Sequence, residues 1–412
     1  MGKRSNGEGS VFPYKDGWAG YVWVVTPEGK KTRKWAYGKT REETHEKWLK
    51  LHELASKGPV PTKHPTLAAY LTRWLAEVIE PNREPTTYAG YEVLVRLYMI
   101  PGLGKKRLDK LTVREVQTWL NTLVTLCTCC DQKKDHQRSE AKRRCCSKGE
   151  CCKGYPSRGT IASIRRILRS ALSNAIREEL ISKNVAALTV LPNASKTKKA
   201  KNHGVWNVDE ARRFLEHLRS VDEPLYAAYV LILILGLRRG EVLGLAWDCV
   251  DLDGEQLWIS RQLNRVRGEL LHRETTKTED STASLPLFGL CIAALRDRQR
   301  IQEQARQDAG ERWKGSDLVF TTRNGTPVEP RNFYRSFERY CEKASVPRIR
   351  VHDTRHTCAS LLAALDVHPR VAMRILRHSQ ISVTMNVYTQ VPAPETRRAL
   401  GRLNQSLGEQ LP

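Results

Sequence analysis

Two linkers divide this chain into three segments whose hydrophobic patterns differ. The first linker, 57–65, is rich in proline, and the second, 193–202, is rich in lysine. Neither composition suits the interior of a packed domain. A chain of 412 residues is also longer than one hydrophobic core usually supports. The predicted fold class is therefore multidomain and mainly α-helical with small β-sheets, with domains over 1–58, 66–192 and 203–391 and a tail over 392–412.

The first segment has the pattern of a small β-sheet followed by a helix. Aromatic and polar residues alternate over 9–25 around a turn at 15–17, which is typical of a hairpin. Thr40 and Glu43 have the spacing of a helix-capping box. Four of the ten tryptophans lie in this segment, and we expect them to form a small core.

The second segment shows helical periodicity, and the third mixes helices with short strands. In the second segment, Pro81, Pro85 and a turn at 101–104 are expected to separate the helices. In the third, the pattern predicts helices over 209–220 and 225–237 and strands over 256–260, 268–272 and 284–287. The polar stretch 296–312 is interpreted as a solvated helix face. A helical domain is therefore followed by an α+β domain.

The charge of the chain indicates its partner. Sixty-nine Lys and Arg against 45 Asp and Glu give a formal net charge of +24, which favours nucleic acid as the ligand. The longest apolar run, 227–237, is too short to span a bilayer, and the basic N-terminus lacks the apolar region of a secretory signal. We therefore expect a cytoplasmic, DNA-binding protein with no membrane partner.

Six side chains in the last 200 residues together suit chemistry at a phosphate. Each has a plainer interpretation when it is taken alone. Arg238 can be a structural partner of Glu241, and a single lysine or tyrosine is usually solvated or packed. In combination they supply phosphate neutralisation, proton transfer and a nucleophile. The six are Arg238, Lys277, His352, Arg355, His378 and Tyr388.

The residues around these six suggest a reaction that needs no cofactor. No group of carboxylates has the spacing of a two-metal site, and the His352–Arg355 spacing is not that of a zinc pair. A tyrosine that attacks the phosphate directly retains the energy of the phosphodiester in a new covalent bond. We therefore expect neither ATP nor a catalytic metal.

The motifs that carry these residues resemble those of the tyrosine recombinase (phage integrase) family. The matching stretches read GLRRGEVLGLAW, TTKTEDSTASLPL, HDTRHTCASLLAAL and LRHSQISVTMNVYT. The resemblance is strong from 206 to about 391. It implies an arm-type DNA-binding module over 1–58, a core-binding helical domain over 66–192 and a catalytic domain over 203–391.

The resemblance also implies roles and partners. By this resemblance, Tyr388 is the nucleophile that forms a 3′-phosphotyrosyl bond, and Lys277 is the general acid for the 5′-hydroxyl. His352 is implied to act as general acid/base. Arg238 and Arg355 are implied to clamp the phosphate, and His378 to donate a hydrogen bond to it. Glu241 is implied to support Arg238. The implied reaction integrates or excises a phage or mobile element, and four protomers act on core-type and arm-type DNA sites. An excisionase or a host architectural protein is a further implied partner, and the tail is implied to dock on a neighbouring protomer.

Two positions depart from the family pattern. Arg377 stands where the family commonly has Gly, and Thr354 stands where it commonly has Leu. Neither change removes a catalytic group. Two alternatives remain open at this point: a DNA-binding protein that has lost catalysis, and a type IB topoisomerase, which shares the chemistry. Retention of all six positions disfavours the first, and the tryptophan-rich N-terminal segment, which suits a second DNA site, disfavours the second.

Seven of the eleven cysteines are crowded between 127 and 152, within the helical domain. In a long chain without a secretory signal, such crowding points to a metal rather than to disulfides. One cysteine from each adjacent pair is the simpler choice for a tetrahedral structural Zn²⁺. We predict the ligands Cys127, Cys130, Cys146 and Cys151, with His136 as an outside candidate. A reduced loop without metal is the alternative.

Overall fold

The computed structural model of the chain forms two compact units, 1–199 and 200–412. The residues that it describes are 11–26, 29–58, 60, 65–193, 204–274, 283–377, 380 and 385. Most of the lysine-rich linker and the whole predicted tail over 392–412 lie outside this set. Among the described helices, none is both long enough and apolar enough to cross a bilayer.

The first unit begins with a three-stranded antiparallel sheet covered by one helix. The order is β1-β2-β3, and the elements are β1 Val11–Tyr14, β2 Gly17–Val25, β3 Lys31–Gly38 and α1 Arg41–Lys57. Thr40 caps α1 as predicted, since its hydroxyl accepts a hydrogen bond from the Glu43 amide. Val22, Ala36 and Trp48 are among the residues buried between sheet and helix.

Most tryptophans of this segment lie outside its core, whereas the sequence predicted that they form it. Of the four, only Trp48 on α1 is buried, whereas Trp23 and Trp35 are 48% and 40% exposed. The reason is the two-residue period of a strand, which places Trp23 on the face opposite Val22 and Val24. The small aliphatic residues therefore form the core, and the aromatic rings cover the outer face.

The rest of this unit is helical. Its α-helices are α2 Leu67–Trp74, α3 Glu80–Asn82, α4 Pro85–Leu94, α5 Ile100–Leu103, α6 Val113–Leu123, α7 Thr128–Asp131 and α8 Arg158–Arg177. Short π-helical segments, Leu75–Ile79 and Val95–Met99, join α2 to α3 and α4 to α5. Each precedes a proline, Pro81 or Pro101, and the wider turn lets the helix continue where a proline would otherwise clash with the preceding turn. The helices therefore run past the break and the turn that we predicted at these two prolines.

The second unit packs helices around small sheets. Its helices are α9 Val208–Ser220, α10 Tyr226–Ile234, α11 Arg239–Leu243, α12 Gly289–Ala309, α13 Pro330–Lys343, α14 Asp353–Ala364 and α15 Pro369–Leu376. The strands β4 Val250–Asp251, β5 Gln256–Ile259 and β8 Ala283–Pro286 form one sheet, and β6 Arg261–Val266 pairs with β7 Glu269–Glu274. Helix α10 is buried at the centre of this unit. The predicted fold class, mainly helical with small sheets, is confirmed.

Two features of this unit were not predicted. The sequence pattern does not predict strand β6, because polar residues make up much of it. The turn at Arg267-Gly268, with positive φ at both residues, marks its end. Helix α12 is only partly a solvated face. Arg298 is 4% exposed and donates hydrogen bonds to the carbonyls of Val319 and Thr321. Nothing in the local sequence distinguishes this arginine from its exposed neighbours.

Candidate active site

The turn after α10 brings the first predicted arginine to the surface of the second unit. Gly236 has a φ of +59°, and a Cβ at this position would lie 2.5 Å from a methyl group of Leu376. Only glycine fits both the left-handed backbone and this close approach. The chain then leaves the core at Leu237 and exposes Arg238 just before α11.

The start of α14 supplies the second arginine and a histidine. Arg355 is 3% exposed, and its Nη1 donates a hydrogen bond of 2.6 Å to the carbonyl of Gly236. Burial, with Arg238 and Arg377 nearby, lowers the pKa of Arg355 to about 9, so it remains charged at neutral pH. His352 lies one turn before it, at the N-cap of α14. Asp353 is buried beside it and accepts two hydrogen bonds from the side chain of Arg350.

A buried carboxylate connects Arg238 with Arg377, which follows the end of α15. Glu241 is 8% exposed and accepts hydrogen bonds from Arg238 Nη1 at 2.6 Å and from the Arg238 amide at 2.8 Å. Its other partner is Arg377, whose Nη2 lies 2.7 Å from Oε2. Burial alone would raise the pKa of Glu241, but Arg377 and Arg238 outweigh it and keep that pKa below its ordinary value. A carboxylate is therefore held charged between two guanidinium groups.

A cleft of about 330 Å³ opens beside these residues. It is lined by Arg238, Arg239, Gly240, Tyr334, Arg350, Val351 and His352. Burial, together with the nearby His356 and Arg355, lowers the pKa of His352 below its usual 6.5. A neutral imidazole and at least two arginines thus share one basic cleft, where an anion can bind and a proton can be accepted.

The structure brings together three of the six predicted side chains, Arg238, His352 and Arg355. Lys277, His378 and Tyr388 lie outside the described residues. Lys277 falls between β7 and β8, and His378 directly follows Arg377. The sequence marks Arg377 only as a departure from a family pattern and gives no link to Glu241. No sequence signal could have done so, because the two residues are 136 positions apart.

The cysteine-rich insertion forms a thiol cluster in the first unit. The Sγ atoms of Cys127, Cys130, Cys145 and Cys151 lie within 4.8 Å of one another. Cys145 is fully buried and also belongs to a second group with Cys129 and Cys152, whose Sγ atoms likewise lie within 4.8 Å of one another. The structure thus places Cys145 in the cluster where we predicted Cys146. Adjacent residues direct their side chains differently, and Cys146 begins a short 3-10 turn that leaves its thiol out of both groups.

A buried aspartate organises the loop that carries these thiols. Asp135 is fully buried and accepts backbone hydrogen bonds from Arg144, Cys145 and Ser147, at 3.0 to 3.1 Å. Arg138 donates a further hydrogen bond to it. Fixing three amides of the segment 144–147 in this way holds Cys145 in place.

The outer face of the N-terminal sheet is aromatic and basic. The guanidinium of Arg33 lies 4.9 Å from the ring of Tyr21 and 4.7 Å from that of Trp23. Lys31 lies over Trp23 as well, at 5.6 Å. We call this surface the aromatic face; its residues are Phe12, Tyr14, Tyr21, Trp23, Lys31, Arg33, Trp35 and Tyr37. Exposed cations braced by rings are suited to a polyanion.

The fold and the basic cleft suit a protein that handles the phosphates of a nucleic acid. Comparison with known proteins identifies the family. The "Phage integrase family" model matches residues 205–394, and "Phage integrase, N-terminal SAM-like domain" matches residues 66–124. The chain belongs to the phage integrase family of tyrosine recombinases, and it is a site-specific DNA recombinase.

Similar proteins extend over most of the chain. "Tyrosine recombinase XerC-like" from Caldanaerobacter subterraneus is 25% identical over 91% of this chain and 92% of its own length. The solved structure of the Tn1549 transposon integrase, in complex with a circular intermediate DNA, covers 82% of this chain and 99% of its own, with a TM-score of 0.61 and 20% identity. A lambda integrase tetramer bound to a Holliday junction covers 93% of this chain and 96% of its own, with a TM-score of 0.50 and 16% identity. At these identities the solved structures establish the shared fold.

Proposed function

We propose that the protein integrates and excises a phage or mobile element by cleaving and rejoining DNA through a 3′-phosphotyrosyl intermediate on Tyr388. The observation that carries this proposal is that Arg238 and His352 line one cleft and Arg355 is buried close to them, although 117 positions separate Arg238 from Arg355 along the sequence. Other relatives are integrases from Saccharopolyspora erythraea, Staphylococcus phage L54a and Bacillus subtilis and a transposase from transposon Tn916, which supports the same biological role.

The proposed step balances as a transesterification. The Tyr388 oxygen attacks the scissile phosphorus, and the bond from phosphorus to the 5′-oxygen breaks. Neutral His352 accepts the phenol proton, and Lys277 gives a proton to the leaving 5′-oxygen. Arg238 and Arg355 neutralise the charge that develops on the non-bridging oxygens, with a hydrogen bond from His378. Attack by a 5′-hydroxyl of the partner strand reverses the sequence and needs no catalytic cofactor.

A suicide DNA substrate tests this function. A nick next to the scissile phosphate lets a short 5′-fragment diffuse away, so the protein stays covalently attached to the 3′-end. We expect a shifted band under denaturing conditions, and a peptide map that places DNA on Tyr388. A protein that only binds DNA gives no adduct. A type IB topoisomerase instead relaxes supercoiled plasmids that lack the element's own sites.

The lowered pKa of His352 predicts how cleavage depends on pH. A base with a depressed pKa stays neutral at neutral pH and loses its function only when it is protonated. The single-turnover cleavage rate should therefore fall on acidification with a midpoint below pH 6.5. His352→Gln should slow cleavage and remove this acid limb, whereas His45→Gln, on α1, should keep it. An acid limb that persists unchanged in His352→Gln would assign it to another group.

We further propose that the chain binds two kinds of DNA site. The module 1–58 would bind arm-type sites through its aromatic face, and the helical domain 66–192 and the catalytic domain 203–391 would each contact core-type sites. The remaining basic residues add affinity that depends steeply on salt. A tetramer on DNA is supported by the lambda integrase assembly, and an excisionase or host architectural protein would set the direction of the reaction.

The aromatic face predicts a selective effect on arm-site binding. Arg33→Ala removes a cation that two rings orient, and we expect the Kd for arm DNA to rise roughly tenfold with core-site binding unchanged. Lys50→Ala makes the same charge change on α1, whose exposed side faces away from the sheet core, and should leave the Kd within twofold. Electrophoretic mobility shifts at two salt concentrations measure both. Equal effects of the two variants would contradict a role for this face.

The cysteine cluster would hold one structural Zn²⁺. Tetrahedral zinc with Zn–S bonds of about 2.3 Å places its sulfurs roughly 3.8 Å apart. The distances from Cys130 Sγ are 3.3 Å to Cys145 and 4.0 Å to Cys151, and Cys127 Sγ lies 3.9 Å from Cys145. The donor set therefore fits zinc, with Cys127, Cys130, Cys145 and Cys151 as ligands.

Metal analysis of two serine variants tests the zinc site. We expect about one zinc per purified chain, lost in Cys145→Ser because this thiol belongs to both groups. Cys146→Ser is the matched control and should keep its metal, since that thiol lies in neither group. Limited proteolysis should cut within 127–152 at least tenfold faster once the zinc is removed. A metal-free wild-type protein would rule out the site.

A further inference from the structure

The buried end of α15 carries an arginine whose surroundings exclude an ordinary surface role. Arg377 adopts a left-handed backbone with a φ of +52°, a conformation that glycine adopts more readily than any other residue. Its side chain is only 11% exposed. Nη2 donates to Glu241 Oε2 at 2.7 Å, and Nη1 donates to the carbonyl of Ile375 at 3.2 Å. Both Nη atoms of the guanidinium are therefore engaged by groups of the protein itself.

Glu241 is shared between this arginine and the phosphate-clamping one. Oε1 accepts from Arg238 Nη1 at 2.6 Å, and Oε2 accepts from the Arg238 amide and from Arg377. The two arginines differ in exposure, since the side chain of Arg238 is 47% exposed and borders the cleft. One guanidinium can thus move toward a ligand, whereas the other is fixed.

We propose that Arg377 is a positioning residue for cleavage: it holds the carboxylate of Glu241, so that Arg238 can release its side-chain contact with that carboxylate and bind the scissile phosphate. A buried carboxylate left without a cation is strongly unfavourable. Without Arg377, Arg238 would be the one arginine of the described cluster left hydrogen-bonded to Glu241, and the carboxylate would compete with the phosphate for it. With Arg377 in place, the carboxylate stays neutralised while Arg238 moves. This inference rests on the proposed cleavage reaction.

Single-turnover adduct formation on a suicide substrate, at saturating protein, tests the proposal. Arg377→Gly removes the guanidinium and suits the left-handed backbone. We expect its cleavage rate to fall roughly tenfold to a hundredfold, the range for losing a hydrogen bond between charged groups, with the Kd for DNA within about threefold. Arg377→Lys retains a cation for the single contact with Oε2 and should recover part of the rate. The lysine variant also keeps the test valid if the glycine variant folds poorly, which thermal unfolding reports.

A double-variant comparison separates positioning from general support of the fold. In a Glu241→Gln background there is no carboxylate charge to compete for Arg238, so adding Arg377→Gly should slow cleavage less than threefold further. An equal loss in both backgrounds overturns the proposal, as does an Arg377→Gly protein that cleaves within threefold of the wild type. If the wild-type protein forms no adduct, the proposed cleavage fails and this inference fails with it. A wild-type adduct with an unaffected glycine variant removes only the inference.

Discussion

Tyr388→Phe should abolish covalent attachment to DNA while leaving DNA binding intact. The change removes only the phenolic oxygen, which is the atom that would form the bond to phosphorus. Adduct on a suicide substrate should fall below detection, a loss of more than about 10⁴-fold in rate. The Kd for the same DNA should stay within about twofold, because affinity comes mainly from backbone contacts elsewhere.

The control for this prediction is another exposed tyrosine. Tyr155 is 44% exposed and lies in the first unit, so Tyr155→Phe should form adduct at the wild-type rate. If Tyr388→Phe still forms adduct, a different residue is the nucleophile. Mapping the attached peptide would then identify it.

Arg355→Ala should cause the second largest loss. This arginine is buried, is fixed by the carbonyl of Gly236 and would meet the charge that develops on the phosphate in the transition state. Removing one such preorganised donor typically costs 10²–10³ in rate, and we expect roughly a thousandfold loss of adduct formation at saturating protein. Arg355→Lys should also lose roughly a hundredfold, because one ammonium cannot replace a planar fork that holds a carbonyl and a phosphate together.

Stability must be measured beside activity for this residue. The Ala variant leaves the buried Gly236 carbonyl without its donor, so Tm should fall by a few degrees. Arg306→Ala on α12 is the matched control, since that arginine is exposed and only weakly paired. It should change neither Tm nor cleavage. An Arg355→Ala protein that stays folded and cleaves within tenfold of the wild type would contradict the assigned role.

Local sequence determined the elements and the chemistry of this protein. The capping residues Thr40 and Thr112 fix where two helices begin, because a side-chain oxygen satisfies amides only at that place in a helix. The order of arginine, lysine, histidine and tyrosine motifs indicated the reaction because few other reactions require that set. The family assignment that followed from those motifs is confirmed by the models matching 66–124 and 205–394.

Tertiary structure decided which residues share a surface or a partner. The two-residue period of β2 and β3 places Trp23 and Trp35 on one face of the sheet. Only the packing of α1 on the opposite face shows that this face is exposed to solvent. Cys145, rather than Cys146, belongs to the thiol cluster. Its amide is held by Asp135, which lies ten residues away in the sequence. Arg298 is a buried hydrogen-bond donor because the segment that carries the carbonyls of Val319 and Thr321 packs against α12.

The pair of Glu241 and Arg377 shows most clearly what the sequence predicts and what only the tertiary structure decides. Sequence alone identified Arg377 as an unexpected residue at a position where glycine fits better. It could not show a partner, because pairing across 136 residues depends on how α11 and α15 pack, and packing is set by the whole core rather than by local propensity. Sequence thus predicted Arg238 and His352 of the cleft, and the tertiary structure decided which charged groups neutralise one another, because that pairing depends on packing across the whole core.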